Sequence, residues 1–183
     1  MGNREDLLTG AKKCLHDKGY ARTTARDIAA AAGVSLAAIG YHYGTKEALL
    51  NAAVQEALEE WATDLRSVLD TVADLPPQER FEAAWDRVIR SFADNRSLWS
   101  IQFELIGLGD PATMAAFAEV NRDARRALVG LFGDFGHSDE RSVLLLGTLY
   151  QALLGGVATQ WLVDPGDTLS GATLQEALRL LAP

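Results

Sequence analysis

The sequence predicts an all-α fold of about nine helices, and three observations carry that prediction. Ala and Leu dominate the 183 residues while β-branched residues are sparse, a mix that favours helix over sheet. Only five prolines are present. Apolar residues recur at gaps of three and four, and no stretch alternates with period two for long enough to make a strand. Apolar residues make up 48% of the chain, enough for a sizeable core.

Residues 4–18 predict a first helix, which Gly19 ends. Two short helices follow, near 25–32 and 36–42. Thr45 is placed to cap a long helix from Lys46 to about Val72. Its Val54, Leu58, Trp61, Leu65, Val68 and Val72 alternate gaps of four and three, a buried stripe. Asp74, Pro76 and Pro77 stop it. A helix over 77–94 sets Phe81, Trp85, Val88 and Phe92 on one face. Helices near 96–107 and 111–132 come next, then a loop holding Gly133 and Gly136. Ser138 is the expected cap of an uncharged helix running to about Val163, and Asp164-Pro165-Gly166 breaks it. A last helix covers about 171–181.

Cys14 is the single cysteine, so neither an internal disulfide framework nor a cysteine metal cluster forms within the chain. The start, Met1 to Asp6, is polar and no apolar signal segment follows it; both features fit the cytoplasm. Val143–Val163 is long and uncharged enough to be weighed as a membrane span. Against that, Thr148, Gln151, Gly155 and Thr159 form a polar-to-small stripe, and no basic cluster flanks either end. The better reading is a helix buried between its own subunit and a second copy.

The net charge of −8 is unevenly spread. Residues 1–50 hold seven Lys/Arg against five Asp/Glu, a balance of +2, leaving −10 for the rest. An acidic body repels nucleic acid except where the basic head is presented.

The informative segment runs from Thr23 to Leu50. Thr24 with Asp27 three residues later resembles a capping box. Ile28 faces inward and Ala29 is small enough for a second helix to cross closely. Gly33 supplies the positive φ of a tight turn. Val34 plugs the core beneath it, Ser35 is placed to cap the next helix, and Ile39 anchors that helix. Leu36, Ala37 and Ala38 read as its exposed face. Tyr41, His42, Tyr43 and Lys46 then cluster within six residues; hydroxyls, an imidazole and an ammonium are typical donors to phosphate. Arg22 and Arg26 divide evenly between phosphate contact and a solvated face. For Thr24 a phosphate contact adds to its capping role, and His42 is either a phosphate contact or a packed ring.

From about Arg4 to Leu50 the chain resembles the DNA-binding domain of the tetracycline-repressor (TetR) family. The matching residues are Gly19-Tyr20, Thr23-Thr24, Ile28-Ala29, Ala32-Gly33-Val34-Ser35, Ile39, Tyr41-His42-Tyr43 and Lys46-Glu47-Ala48-Leu49. One departure stands out: Gly40 occupies a position where the family usually has Tyr. The remainder is similar to that family in length and helix pattern alone. The resemblance implies a head at 1–45 that binds a pseudo-palindromic operator in double-stranded DNA. It further implies a body at 46–183 that dimerises and takes a small effector, which releases DNA. Because the long helix links Lys46 to Trp61, effector entry is expected to tilt that helix and change the spacing of the heads. Trp61, Trp85, Phe92, Trp99, Phe103, Tyr150 and Trp161 are candidate lining for an apolar or amphipathic effector. Asn121, with Gln102, Gln151 and Gln160, offers polar handles. The last two helices are the expected homodimer surface, with Gly147, Gly155 and Gly156 permitting close approach.

The alternatives are a helical enzyme and a dimeric binding module whose head no longer holds DNA well. His16, His42 and His137 lie far apart, and no HExxH, CxxC, GxSxG or phosphate loop is present. No cofactor or metal is therefore expected.

Overall fold

In the computed structural model, residues 3–72, 74–109 and 111–181 are described. Among them lie nine α-helices and a single 3-10 turn. They are α1 (Asn3–Lys18), α2 (Ala25–Ala32), α3 (Ala37–Tyr43), α4 (Lys46–Leu69), α5 (Pro77–Asp94), α6 (Arg96–Leu108), α7 (Pro111–Phe132), α8 (Glu140–Val163) and α9 (Gly171–Leu181). Every helix expected from the periodicity is present. The long helix stops three residues early, and Asp70–Val72 tightens into the 3-10 turn.

The chain divides into two compact units. The first joins the stretch up to Trp61 with Arg96–Phe117, and the second joins Ala62–Asn95 with the stretch from Ala118 onward. The first unit has a continuous core of Leu7, Ala11, Leu15, Ile28, Ile39, Leu49, Leu50, Ala53, Ile101 and Leu105, among others. Two helices reach it closely because α1 carries a glycine at the crossing. A Cβ on Gly10 would fall 2.9 Å from the backbone nitrogen of Ala32. The α4 stripe is buried as expected at Val54, Trp61 and Leu65 and half-buried at Leu58; Val68 falls outside the described side chains.

In the second unit, α5 buries Phe81, Trp85, Val88 and Phe92. Trp85 stacks on Phe132 with ring centroids 4.4 Å apart. Gly171 starts α9 against the backbone of α5, and its N–H donates to Asp86 Oδ1 at 2.7 Å. One capping expectation needs correction: Asp139, not Ser138, caps α8, accepting from the Ser142 N–H at 3.0 Å. A carboxylate at that position also meets the positive end of the helix dipole, an advantage a serine lacks.

Helix α8 is long and apolar enough to cross a membrane by length and composition. Gly147, Tyr150, Leu154, Val157 and Ala158 nevertheless face the protein interior. Tyr150 donates its hydroxyl to the Gly133 carbonyl at 2.9 Å. Burial, with Asp134 adding to it, pushes the phenol pKa up to about 12. An unfolded tyrosine ionises near 10. The contribution of this phenol is therefore complete below pH 10 and fades as pH rises toward 12. Tyr150→Phe is expected to cost about 1 kcal/mol at neutral pH and to shrink the stability loss between pH 10 and 12, read by urea unfolding at several pH values.

Candidate nucleic-acid interface

The interface is built on a tight turn between two short helices. Thr24 caps α2 with a complete capping box: the Asp27 N–H donates to Thr24 Oγ1 at 3.2 Å, and the Thr24 N–H donates to Asp27 Oδ2 at 2.9 Å. Lys18 Nζ donates to the other carboxylate oxygen at 2.6 Å. The Lys18 ammonium and the Thr24 donors hold the Asp27 carboxyl well below its ordinary range. Helix α2 ends at Gly33, left-handed at φ 66 and ψ 27. The Gly33 and Val34 N–H groups donate back to Ala30 and Ala29 carbonyls at 3.3 and 3.0 Å, a Schellman closure that reverses the chain. Val34 is half-buried against the head core.

Helix α3 starts without a side-chain cap. Leu36 holds the cap position in helical geometry, and Ser35 contributes its carbonyl, which accepts from the Ala38 N–H at 3.0 Å. The expected Ser35 side-chain cap is thus replaced by a backbone turn, which leaves the exposed Ser35 hydroxyl without that duty. Ala38 also needs correction. It is buried together with Ile39, so the outward row of α3 is Leu36, Ala37, Gly40 and Tyr41. Ala38 faces inward because it lies next to the anchor, on the inner arc of a seven-residue helix. Tyr41 is 86% exposed, its ring edge-on to His42 at 4.8 Å; His42 itself is half-buried.

The donors at the end of α3 and just beyond it are less free than their sequence cluster suggests. Tyr43 donates its hydroxyl to the Arg4 carbonyl at 3.1 Å, and the Arg4 guanidinium sits 5.2 Å from the Tyr43 ring centroid. Lys46 Nζ donates to the Thr23 carbonyl at 3.2 Å and lies 3.3 Å from Glu47. Thr45 caps α4 as expected, accepting from the Ala48 N–H at 3.0 Å. Arg22 is exposed and spends its Nε on the Lys18 carbonyl at 2.8 Å. Arg26 is exposed, and among the described residues neither arginine forms an ion pair. Arg4 is a cation that sequence reasoning did not count among the candidates, and the fold brings it against Tyr43. It lies 39 residues from Tyr43, and no local pattern announces the stacking.

Gly40 is exposed, and a Cβ there would meet nothing within 4 Å. Gly40→Ala is therefore expected to stabilise the head by up to about 1 kcal/mol, read as a raised urea midpoint. An unchanged or lowered midpoint would show that α3 needs the glycine.

The effector candidates fall into three groups. Trp61 and Trp99 meet edge to face at 5.1 Å in the first unit, where Phe103 is 39% exposed. In the second unit Trp85 and Tyr150 share Phe132 and Phe81 as ring neighbours. Phe92 and Trp161 lie 5.8 Å apart. Asn121 is tied to α8 by the Gln151 amide at 2.7 Å, and Gln151 in turn accepts from Arg125 Nε at 3.1 Å. The Trp85 Nε1 donor is buried with no acceptor among the described residues.

Residues 7–53 match the family model described as bacterial regulatory proteins, tetR family. The chain is 38% identical over 56 residues to the HTH-type transcriptional repressor AcnR of Corynebacterium efficiens, covering 31% of this chain and 30% of that protein. It is 37% identical over 59 residues to the HTH-type transcriptional repressor Rv1474c of Mycobacterium tuberculosis, covering 32% of each. These matches span about three-tenths of the relatives' length. Over the whole chain, the regulator SCO7518 of Streptomyces coelicolor superposes with a TM-score of 0.71 at 25% identity, each chain fully covered. Thermus thermophilus FadR, a TetR-family repressor solved with lauroyl-CoA, gives 0.66 at 25% identity over 97% of this chain and 92% of that one.

Proposed function

We propose that this chain, whose residues 7–53 match the tetR family of bacterial regulatory proteins, is a DNA-binding transcriptional repressor of that family, released from its operator by a small-molecule effector. The observation that carries the reading is the Gly33 turn, which leaves Leu36, Ala37, Gly40 and Tyr41 on the outward row of α3. A short helix held this way lays its exposed row in a major groove. Alanine contacts a thymine methyl; Thr24, Ser35, Tyr41, His42 and the cations Arg22, Arg26 and Lys46 supply phosphate contacts. With so few hydrogen-bonding groups on α3, DNA shape carries part of the specificity.

In this reading residues 1–45 form the head and 46–183 dimerise and bind effector, in the cytoplasm. A homodimer through α8 and α9 pairs two heads with a pseudo-palindromic site. The aromatic groups around Trp61 and Trp99, Trp85 and Tyr150, and Phe92 and Trp161 suit an apolar or amphipathic effector. The unpaired Trp85 N–H suits one that carries a hydrogen-bond acceptor.

The test is selection from a random duplex library, followed by salt titration of the recovered sequences. Retention of one pseudo-palindromic family, with affinity falling steeply as salt rises, is expected. Weak, sequence-blind retention would favour the alternative of a binding module with a spent head. That alternative draws on Gly40 and on the internal engagement of Tyr43 and Lys46.

A further inference from the structure

The bend between α1 and α2 is gripped from outside the helix-turn-helix, by a carboxylate on α6. Gly19 sits at φ 78, and after such a left-handed residue successive backbone N–H groups converge into a small anion cradle. Here the Tyr20 and Ala21 N–H groups both donate to Glu104 Oε2, at 2.9 and 3.1 Å. The other carboxylate oxygen lies over the bare Cα of Gly19, since a Cβ there would come within 2.7 Å of Glu104 Oε1. Ile101 and Leu105, flanking Glu104 on the same helix, are buried in the head core. Hydrophobic burial thus fixes α6 where the charge-assisted bonds need it.

The bend has further ties. Tyr20 donates its hydroxyl to Asn51 Oδ1 on α4 at 2.8 Å. Thr23 donates to the Gly19 carbonyl at 2.7 Å and runs straight into the Thr24 cap. Closing α1 does not require Glu104, because the Gly19 N–H already donates to the Leu15 carbonyl at 2.9 Å. What Glu104 adds is a fixed direction for the segment that carries Arg22, Thr24 and Arg26.

We propose that Glu104 is a positioning residue for DNA binding: its carboxylate, clamped on the Tyr20 and Ala21 amides, sets the orientation of the segment that leads into α2. The proposal rests on the operator-binding reading above. Glu104→Ala removes the clamp, and Glu104→Gln keeps one acceptor oxygen in nearly the same shape. Both are made in the full-length protein. Three quantities are measured: hydrogen exchange at the Tyr20 and Ala21 amides, the melting temperature, and Kd for the duplex that wild-type protein selects from the random library.

Glu104→Ala is expected to speed exchange at those two amides and weaken binding about tenfold or more, the scale of losing hydrogen bonds to a charged group. Glu104→Gln should recover most of the affinity. The melting temperature should shift by too little to unfold the protein at the assay temperature. An alanine variant that binds within twofold of wild type overturns the proposal. So does a glutamine variant as weak as alanine with an equal fall in melting temperature, since that pattern marks simple destabilisation. A wild-type protein that selects no duplex overturns the operator reading and takes this proposal with it; selection by wild type with unaffected variants overturns this proposal alone.

Discussion

Replacing Leu149 with arginine is expected to turn the proposed α8–α9 homodimer into monomers and to weaken the proposed operator binding by about two orders of magnitude. Helix α8 carries its charges at Glu140 and Arg141 in the first turn and none beyond. Yet Leu144, Leu145 and Leu149 are 50%, 60% and 45% exposed, and Val163 is 82% exposed. Leu180 and Leu181 on α9 are more than 80% exposed. Exposed leucines gathered on one uncharged helix, as at Leu144, Leu145 and Leu149, are the pattern of a face covered by a partner. In a two-fold interface each substitution acts twice. Two guanidiniums stripped of water without partners would cost about 3 kcal/mol or more, and every 1.4 kcal/mol is a factor of ten. Sedimentation at micromolar protein gives the assembly state, and titration of the selected duplex gives the affinity. A stable dimer of the arginine variant would rule out α8 as the dimer surface.

The second large effect concerns a glycine on the same helix. Gly147 packs where α8 crosses α7, and a Cβ there would overlap the Arg125 carbonyl oxygen and lie 2.8 Å from its carbon. Those are backbone atoms, so no rotamer change relieves the overlap and the helices must separate. The half-buried chain of Arg125, Gln151 and Asn121 bridges the same two helices and would stretch with them. Gly147→Ala is expected to cost about 2–3 kcal/mol, a fall in melting temperature of about 5–10 °C. Gly156→Ala is the matched control, since a Cβ there meets nothing within 4 Å. It should leave the fold unharmed or stabilise it by up to about 1 kcal/mol. Equal losses at both positions would refute the close crossing. A Gly156→Ala protein that is stable but dimerises poorly would instead show that this glycine serves the partner contact.

Both substitutions sit on an element whose existence was legible from residue pattern, while their consequences were not. The same division runs through the head. The Thr24–Asp27 box, the Gly33 turn and the Thr45 cap depend on groups within five residues of one another, so side-chain type and spacing suffice to predict them. The cap of α8 was misplaced by a single residue, because Ser138 and Asp139 are both competent caps and the chain direction entering the helix chooses between them. The inward turn of Ala38 was missed because a short helix has too few residues to display its phase.

Phe103 shows the same limit from the other side. Its aromatic ring reads as core, yet it is partly exposed while its neighbours Ile101 and Leu105 take the buried positions. Tyr43 and Lys46 read as free donors, but each is bound to a carbonyl more than twenty residues away.

What the amino-acid order settled unaided was the set of helices, the Thr24 and Thr45 caps and the helix-turn-helix, because these arise from hydrogen bonds and periodicity within one or two turns of chain. Folding in three dimensions decided which donors remain unspent, which glycines are pressed against backbone, and that Glu104 holds an amide pair 83 and 84 residues distant. Such pairings depend on where separate helices cross, and the physical reason they are hidden is that no local spacing encodes a crossing point.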